Sequence, residues 1–310
     1  MVYNSETLEV TEQLRAFCTT AGTCLYSCGG HSILATSASL KMEPLGWVAP
    51  RLCCGIGNRL FQAIAATAFA KRTGREAVIL LPRMCHYEHG NFELIAQLFP
   101  HLRIIETATD WETIDEHTPL TQSQAKRTVL SGFFQDAKFF PDLSDQAAWP
   151  RIPLPPTLTP RVAVHFRLGD YKILPHHQLP LASYYYKIIT SFPKQTPLLL
   201  FSDSPEALPA IQAELADLGY PSEVFTGTPL ETFIAFSSCQ GGAVCSNSTF
   251  AWWCAYFAWN VSGSDSYIAH FPSPWMPGKP PPNLFTHPFT QVHDLVKIPA
   301  FSRLNSFSYL

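Results

Sequence analysis

Val162-Ala163-Val164-His165-Phe166-Arg167-Leu168-Gly169-Asp170-Tyr171 is an apolar run that ends in three ionisable residues, His165, Arg167 and Asp170. Read as a buried strand over 162–166, it puts those side chains at or just past the strand end. In an α/β domain that mouth is where ligands bind. A strand interior has no use for three ionisable groups, so chemistry accounts for them better than packing does. The planar fork of arginine suits a pair of phosphate oxygens, and its charge survives burial. The competing reading is an Arg167–Asp170 surface pair on an ordinary turn, which is worth little energetically.

The same rhythm extends on both sides of this stretch. Upstream, strands are expected at 48–54, 77–81, 102–105 and 129–134, with helices over 59–73 and 92–99. Downstream, strands are expected at 198–202, 223–225, 243–246 and 267–269, with helices over 182–191, 205–218, 230–239 and 248–259. Alternating strands and helices imply parallel sheets. The segment 149–156, Trp-Pro-Arg-Ile-Pro-Leu-Pro-Pro, reads as an extended linker because proline fixes φ and lacks a donor. The expected fold class is therefore α/β, with two open units, 46–150 and 151–310, facing a central cleft. Residues 1–45 form an extension: a short helical pattern, then a Ser/Thr/Gly/Cys-rich stretch with no assigned role. The proline-rich 272–282 is expected as a loop, either over the cleft or closing the second unit.

Composition narrows the function. The 310 residues are 46% hydrophobic and only 15% charged, which excludes a disordered chain. A formal net charge of −3 offers no footprint for nucleic acid or an anionic membrane, so an anionic ligand needs a local site. No apolar run has the length of a membrane span, and the N-terminus lacks the pattern of an export signal. A soluble, cytoplasmic protein is the expectation. Nine cysteines, an odd number, with Cys53, Cys54, Cys245 and Cys254 in apolar contexts, read as buried free thiols. Cys18, Cys24, Cys28 and His31 raise a zinc alternative, but their spacing lacks paired-ligand geometry. Sequons at Asn247 and Asn260 read as incidental.

Three more segments carry chemistry. Cys54-Gly55-Ile56-Gly57-Asn58 is a tight turn entering a helix, where backbone N–H groups can meet a phosphate. It is neither a dinucleotide fingerprint nor a P-loop, and a plain strand–helix turn is the alternative. At Phe201-Ser202-Asp203 a carboxylate can accept paired hydrogen bonds from guanine N1–H and N2–H2, or can cap the helix that follows. Asn247-Ser248-Thr249-Phe250 runs from a buried strand into an aromatic helix. Its N–H groups and hydroxyls suit a diphosphate, and Ser248 or Thr249 could equally be a simple N-cap. Phe250 could lie against a base or sugar, whereas Trp252 and Trp253 read as core.

Cys54–Gly74 (CGIGNRLFQAIAATAFAKRTG), SGFFQDAKFF over 131–140, HFRLGDY over 165–171, FSDSPE and NSTFAWW occur in that order. Together they resemble the α-1,2-fucosyltransferase family of glycosyltransferases, over about residues 50–275. The resemblance implies a GT-B fold of two Rossmann-like domains, with the acceptor on the N-terminal side and GDP-fucose on the C-terminal side. It also implies inversion at the sugar carbon and no required metal or other cofactor; the chain has no D-x-D motif, Asp110-Trp111-Glu112 being the nearest approach. Arg167 stands at the position expected to hold the β-phosphate. Gly55, Gly57, Asn58, Ser202, Asp203, Asn247, Ser248, Thr249 and Phe250 complete the implied donor site. Two positions depart from the family pattern: Arg59 replaces a glutamine, and Leu168 replaces the second arginine of H-x-R-R-G-D.

Fucosyl transfer needs charge stabilisation for the departing GDP and a proton acceptor for the acceptor hydroxyl. Arg167 fits the first need, and Asp170 and His165 are the candidates for the second. A galactoside O2 is the acceptor that the resemblance implies, with specificity expected in loops such as 86–91. The rival readings are a catalytically silent nucleotide-sugar or glycan-binding protein, and a transferase using another nucleotide sugar.

Overall fold

The computed structural model describes residues 17–18, 24–28, 31–35, 45–80, 92–105, 110–118, 125–279 and 282–299. The chain separates into two compact units, 1–44 and 45–310. In the first, β1 (Phe17–Cys18), β2 (Cys24–Cys28) and β3 (His31–Ala35) form an antiparallel three-stranded sheet where little periodicity was expected. The short helical pattern of the extension and the 86–91 loop lie outside the described residues, and so do the side chains of the zinc alternative.

The larger unit holds two wholly parallel sheets, as the strand–helix rhythm implied. The first is built from β4 (Trp47–Pro50), α1 (Ile56–Arg72), β5 (Glu76–Leu80), α2 (Phe92–Leu98), β6 (Arg103–Ile105), β7 (Glu112–Asp115) and β8 (Arg127–Ser131). Its strand order is β6-β5-β4-β8-β7. The second contains β9 (Val162–Phe166), α3 (Ala182–Ile189), β10 (Leu198–Ser202), α4 (Leu208–Asp217), β11 (Ser222–Val224), α5 (Pro229–Ser237), β12 (Ala243–Val244), α6 (Thr249–Ser262), β13 (Ala269–Ser273) and β14 (Thr290–Asp294). Its order is β11-β10-β9-β12-β13-β14. These are the two Rossmann-like α/β domains of the expected architecture.

In each sheet a later strand comes to lie beside the first one, and those two points position the site. In the first sheet the chain runs outward from β4 and returns to place β8 beside it; in the second, β12 returns beside β9. Connections from neighbouring strands part there and open a crevice at the carboxyl edge. The glycine turn follows β4, SGFFQDAKFF begins in β8, HFRLGDY follows β9 and NSTF follows β12. The four motifs thus occupy the two switch points.

Local chemistry explains several boundaries. Helix α1 starts three residues earlier than expected, with Gly55 as its N-cap. Strand β4 stops at Pro50, ahead of Cys54, whose φ of 64° cannot continue a strand. A Thr228–Glu231 capping box and Pro229 in the first turn begin α5. Pro205 opens a single 3-10 turn before α4 rather than the helix itself. Strands β7 and β14 went unanticipated: β7, Glu-Thr-Ile-Asp, is a mostly exposed edge strand with only Ile114 buried. Strand β13 runs through Pro272, which was expected in a loop. It is tolerated because the short neighbour β12 ends at Val244, leaving Pro272 paired on one side only.

One apolar cluster joins the two sheets. Helix α1 is buried on nearly every face because α6 covers the side that the first sheet does not. Phe61 lies 5.1 Å and 4.9 Å, between ring centroids, from Trp252 and Trp253. Both tryptophans are fully buried, as their reading as core expected. Burying a side chain the size of Phe61 contributes about 1.5–3 kcal/mol, so this seam holds the two sheets together.

Candidate active site

A cleft of about 1590 Å³ opens at the carboxyl edges of the two sheets. That exceeds the roughly 300–1,000 Å³ of a single small-ligand pocket, leaving room for two substrates. Its walls carry Gly55, Gly57, Asn58, His165, Arg167, Asp170, Ser202, Asp203, Ser248, Thr249 and Phe250. Residues read from four separate segments therefore share one cavity. Asn247 does not line it. Its side chain is buried, and Nδ2 donates to the carbonyls of His177 (3.0 Å) and Trp275 (3.1 Å), tying two cleft loops together.

Two helix N-termini converge in the cleft. Neither N-cap of the long helices, Gly55 of α1 or Ser248 of α6, makes a side-chain capping bond, so first-turn N–H groups remain for a ligand. Their partial positive charges favour an anion. The two ends touch through Gly57: a Cβ there would fall 2.5 Å from Phe250 N and 2.7 Å from Thr249 Oγ1. Trp253 Nε1 donates to the Gly57 carbonyl at 3.0 Å, locking the contact.

Arg167 stands between two carboxylates. Nη2 lies 2.9 Å from Asp170 Oδ1 and Nε 3.3 Å from Asp203 Oδ2, with the guanidinium over the Tyr171 ring at 5.3 Å. Asp203 does not cap the turn that follows it. It reaches back and accepts from Leu168 N (2.8 Å) and Gly169 N (3.0 Å), pinning the HFRLGDY turn. Its free lone pairs can still accept from a ligand. Leu168, where the family pattern has arginine, turns its side chain into the apolar core. Arg59 is fully buried in α1 and contributes nothing to the cleft wall.

His165 is buried, with Nδ1 3.0 Å from Ser246 Oγ and its carbonyl accepting from Tyr185 Oη. Burial pushes its pKa down to about 4; the nearby Asp203 opposes this and Arg167 adds to it. The ring is neutral at physiological pH. Burial likewise lifts the Tyr171 hydroxyl to about 12, so it acts as a donor, to the Asn247 carbonyl. Phe250 stacks on Phe233, centroids 4.7 Å apart, and leaves part of its surface on the cleft.

Other wall residues escaped the sequence reading. Glu116 follows β7, the strand that was missed; its Oε2 accepts from Phe133 N and Phe134 N, both at 2.8 Å. Gln135 donates to Asn58 Oδ1 at 3.0 Å across the first switch point. Phe225 and Thr232 also line the cleft, while Trp275, Met276 and Lys279 bring the proline-rich loop onto it. Most of these residues follow a parallel strand's carboxyl end, which was the available signal. Cys54 was read as buried, yet it is exposed on the cleft lip, with a left-handed φ.

No family model matches the chain, and no curated relative does. Eighteen chains among solved structures match. The NodZ α-1,6-fucosyltransferase co-crystallised with GDP has 13% identity and a TM-score of 0.43, over 67% of this chain and 91% of that one. The fucosyltransferase NodZ from Bradyrhizobium has 15% identity and a TM-score of 0.42, over 67% and 92%. The iron-containing dodecameric glycosyltransferase TibC from enterotoxigenic E. coli H10407 has 8% identity and a TM-score of 0.39, over 81% and 64%.

Proposed function

We propose that the protein is a GDP-fucose-dependent, inverting fucosyltransferase acting on a glycan hydroxyl, with O2 of a galactoside as the acceptor. The observation that carries this reading is that Arg167 lines the same cleft as two uncapped helix starts, which touch at Gly57 and Thr249. Such an arrangement suits a diphosphate that gains negative charge as it departs, with no metal required. The resemblance in five ordered motifs supplies the sugar and the nucleotide.

In the proposed reaction the bond from fucose C1 to the β-phosphate oxygen breaks and a bond from C1 to the acceptor oxygen forms on the opposite face. Arg167 exchanges its carboxylate partners for the diphosphate. One well-aimed donor of this kind is worth about 3 kcal/mol, or on the order of a hundredfold in rate. That exchange frees Asp170, 41% exposed at its side chain, to take the acceptor proton. His165 is the weaker candidate, because it is buried and its Nδ1 is taken up by Ser246 Oγ. Asp203 and Ser202, with Phe225 beside Phe201 and Thr232 on the same cleft wall, form the proposed guanine side.

Purified protein is incubated with GDP-fucose and a panel of galactosides in chelator, and GDP release is followed. Acceptor-dependent release supports the proposal. Thermal stabilisation by GDP-fucose without transfer to any acceptor selects the silent binding protein. Stabilisation by UDP-galactose or UDP-glucose, and not by GDP-fucose or GDP-mannose, selects another donor.

A further inference from the structure

Cys53 and Cys54 lie side by side on the cleft lip, next to the glycine turn. Their sulfur atoms are 3.7 Å apart, Cys53 is half-buried and Cys54 is exposed. Cys53 is held in place: its N–H donates to Gln62 Oε1 at 2.9 Å, and Gln62 Nε2 donates to its sulfur at 3.1 Å. Cys54 has a φ of 64°, the left-handed region that a side chain disfavours and glycine tolerates. A side chain kept in such a conformation at a cavity edge points to use.

The geometry selects what the pair would take. A disulfide bond is about 2.05 Å long and joins residues whose Cα atoms are usually about 4.4–6.8 Å apart. Neighbours across a trans peptide are about 3.8 Å apart, so a direct bond here is strained and readily reduced. A single soft atom lodged between the sulfurs avoids that strain. A four-coordinate zinc is not provided for, since among the described residues no group of three or more His, Cys, Asp or Glu is placed to hold a metal. A centre that needs two protein sulfurs and brings its own third ligand fits.

We propose that Cys53 and Cys54 form a dithiol site for monosubstituted trivalent arsenicals at the mouth of the cleft. The chemistry is a condensation without redox change. Two S–H bonds and the arsenic–oxygen bonds of the oxide break, two As–S bonds form, and both protons leave with the oxide oxygen as one water. The bound group then projects beside Gly55 and Asn58 and narrows the entrance. The inference rests on the two thiols and stands apart from the transferase reading.

The test is intact-mass analysis of the full chain treated with phenylarsine oxide, followed by peptide mapping. The expected result is an adduct of the arsenical minus one water, bridging 53 and 54, stripped by 2,3-dimercaptopropanol and resistant to excess monothiol. Cys54→Gly relieves the backbone while removing one sulfur, and it should lose that adduct with its melting temperature retained or raised. Adducts confined to other cysteines, a 53–54 adduct stripped by monothiol, or one persisting in Cys54→Gly would each overturn the proposal.

Discussion

Gly57 and Thr249 meet backbone to side chain, so closely that a Cβ on Gly57 would sit 2.7 Å from Thr249 Oγ1. Through this contact a helix from each sheet presents its N-terminus to one cavity. Replacing Gly57 with alanine must push α1 and α6 apart. Overpacking of this kind costs about 1–3 kcal/mol. Gly57→Ala should lower the unfolding free energy measured by urea denaturation by that amount and weaken GDP binding by calorimetry. Unchanged binding in a destabilised variant would show that the two helix ends do not act together.

Arg167 carries the proposed charge stabilisation. Arg167→Ala should keep its fold, because Asp203 retains two backbone donors. It should lose on the order of a hundredfold or more in kcat/KM. Arg167→Lys should recover only part, since an ammonium lacks the paired donors. Near-normal turnover in the alanine variant would remove Arg167 from the mechanism.

Asp203 fixes the turn that bears Arg167, and its Oδ2 lies 2.5 Å from where a Cβ on Gly169 would fall. Asp203→Asn keeps one acceptor and turns an amide N–H₂ toward a backbone N–H. The Leu168 N–H is only partly buried and that of Gly169 is exposed, so the cost stays at or below the about 1–3 kcal/mol of a fully buried unmatched donor. The expected outcome is a loss of that size in urea denaturation, together with weaker GDP binding. Loss of stability alone would confine Asp203 to holding the turn.

Acid should destabilise the protein over a defined window. Burial depresses His165, His270 and His287 to about 4, from an ordinary value near 6.5. The unfolded chain therefore binds more protons than the folded one between those values. Their contribution is complete above about pH 6.5 and is lost progressively as pH falls to about 4. Denaturation midpoints measured from pH 7.5 to 4 should show this decline. His287→Phe, in a pocket shared with Phe140, Trp252 and Phe289, should make the decline shallower. An equal slope in the variant would exclude His287 as a contributor.

Legibility varied with how local the cause was. The strand over 162–166 could be read because five buried residues in a row leave little alternative, and the structure has the same bounds. Strand β7 could not, because only Ile114 of its four residues is buried and pairing with β8 alone defines it. The same missed strand hid Glu116 at its end. Asn247 reads as part of the polar helix head that suits a diphosphate, and its orientation, set by two distant carbonyls, is not legible from neighbouring residues.

The sequence by itself determined the parallel α/β class, the strand that Arg167 follows, the helix that bears Thr249, and the burial of Trp252 and Trp253. Periodicity, caps and glycine turns are properties of neighbouring residues, so they are legible in a string. Only the tertiary structure decided that Asp203 serves Gly169, that Leu168 faces the core and that the Cys53 and Cys54 sulfurs meet at the lip. Those outcomes depend on which strands lie side by side and on backbone conformation at single residues. The two switch points, β4 beside β8 and β9 beside β12, brought motifs more than a hundred residues apart into one cleft.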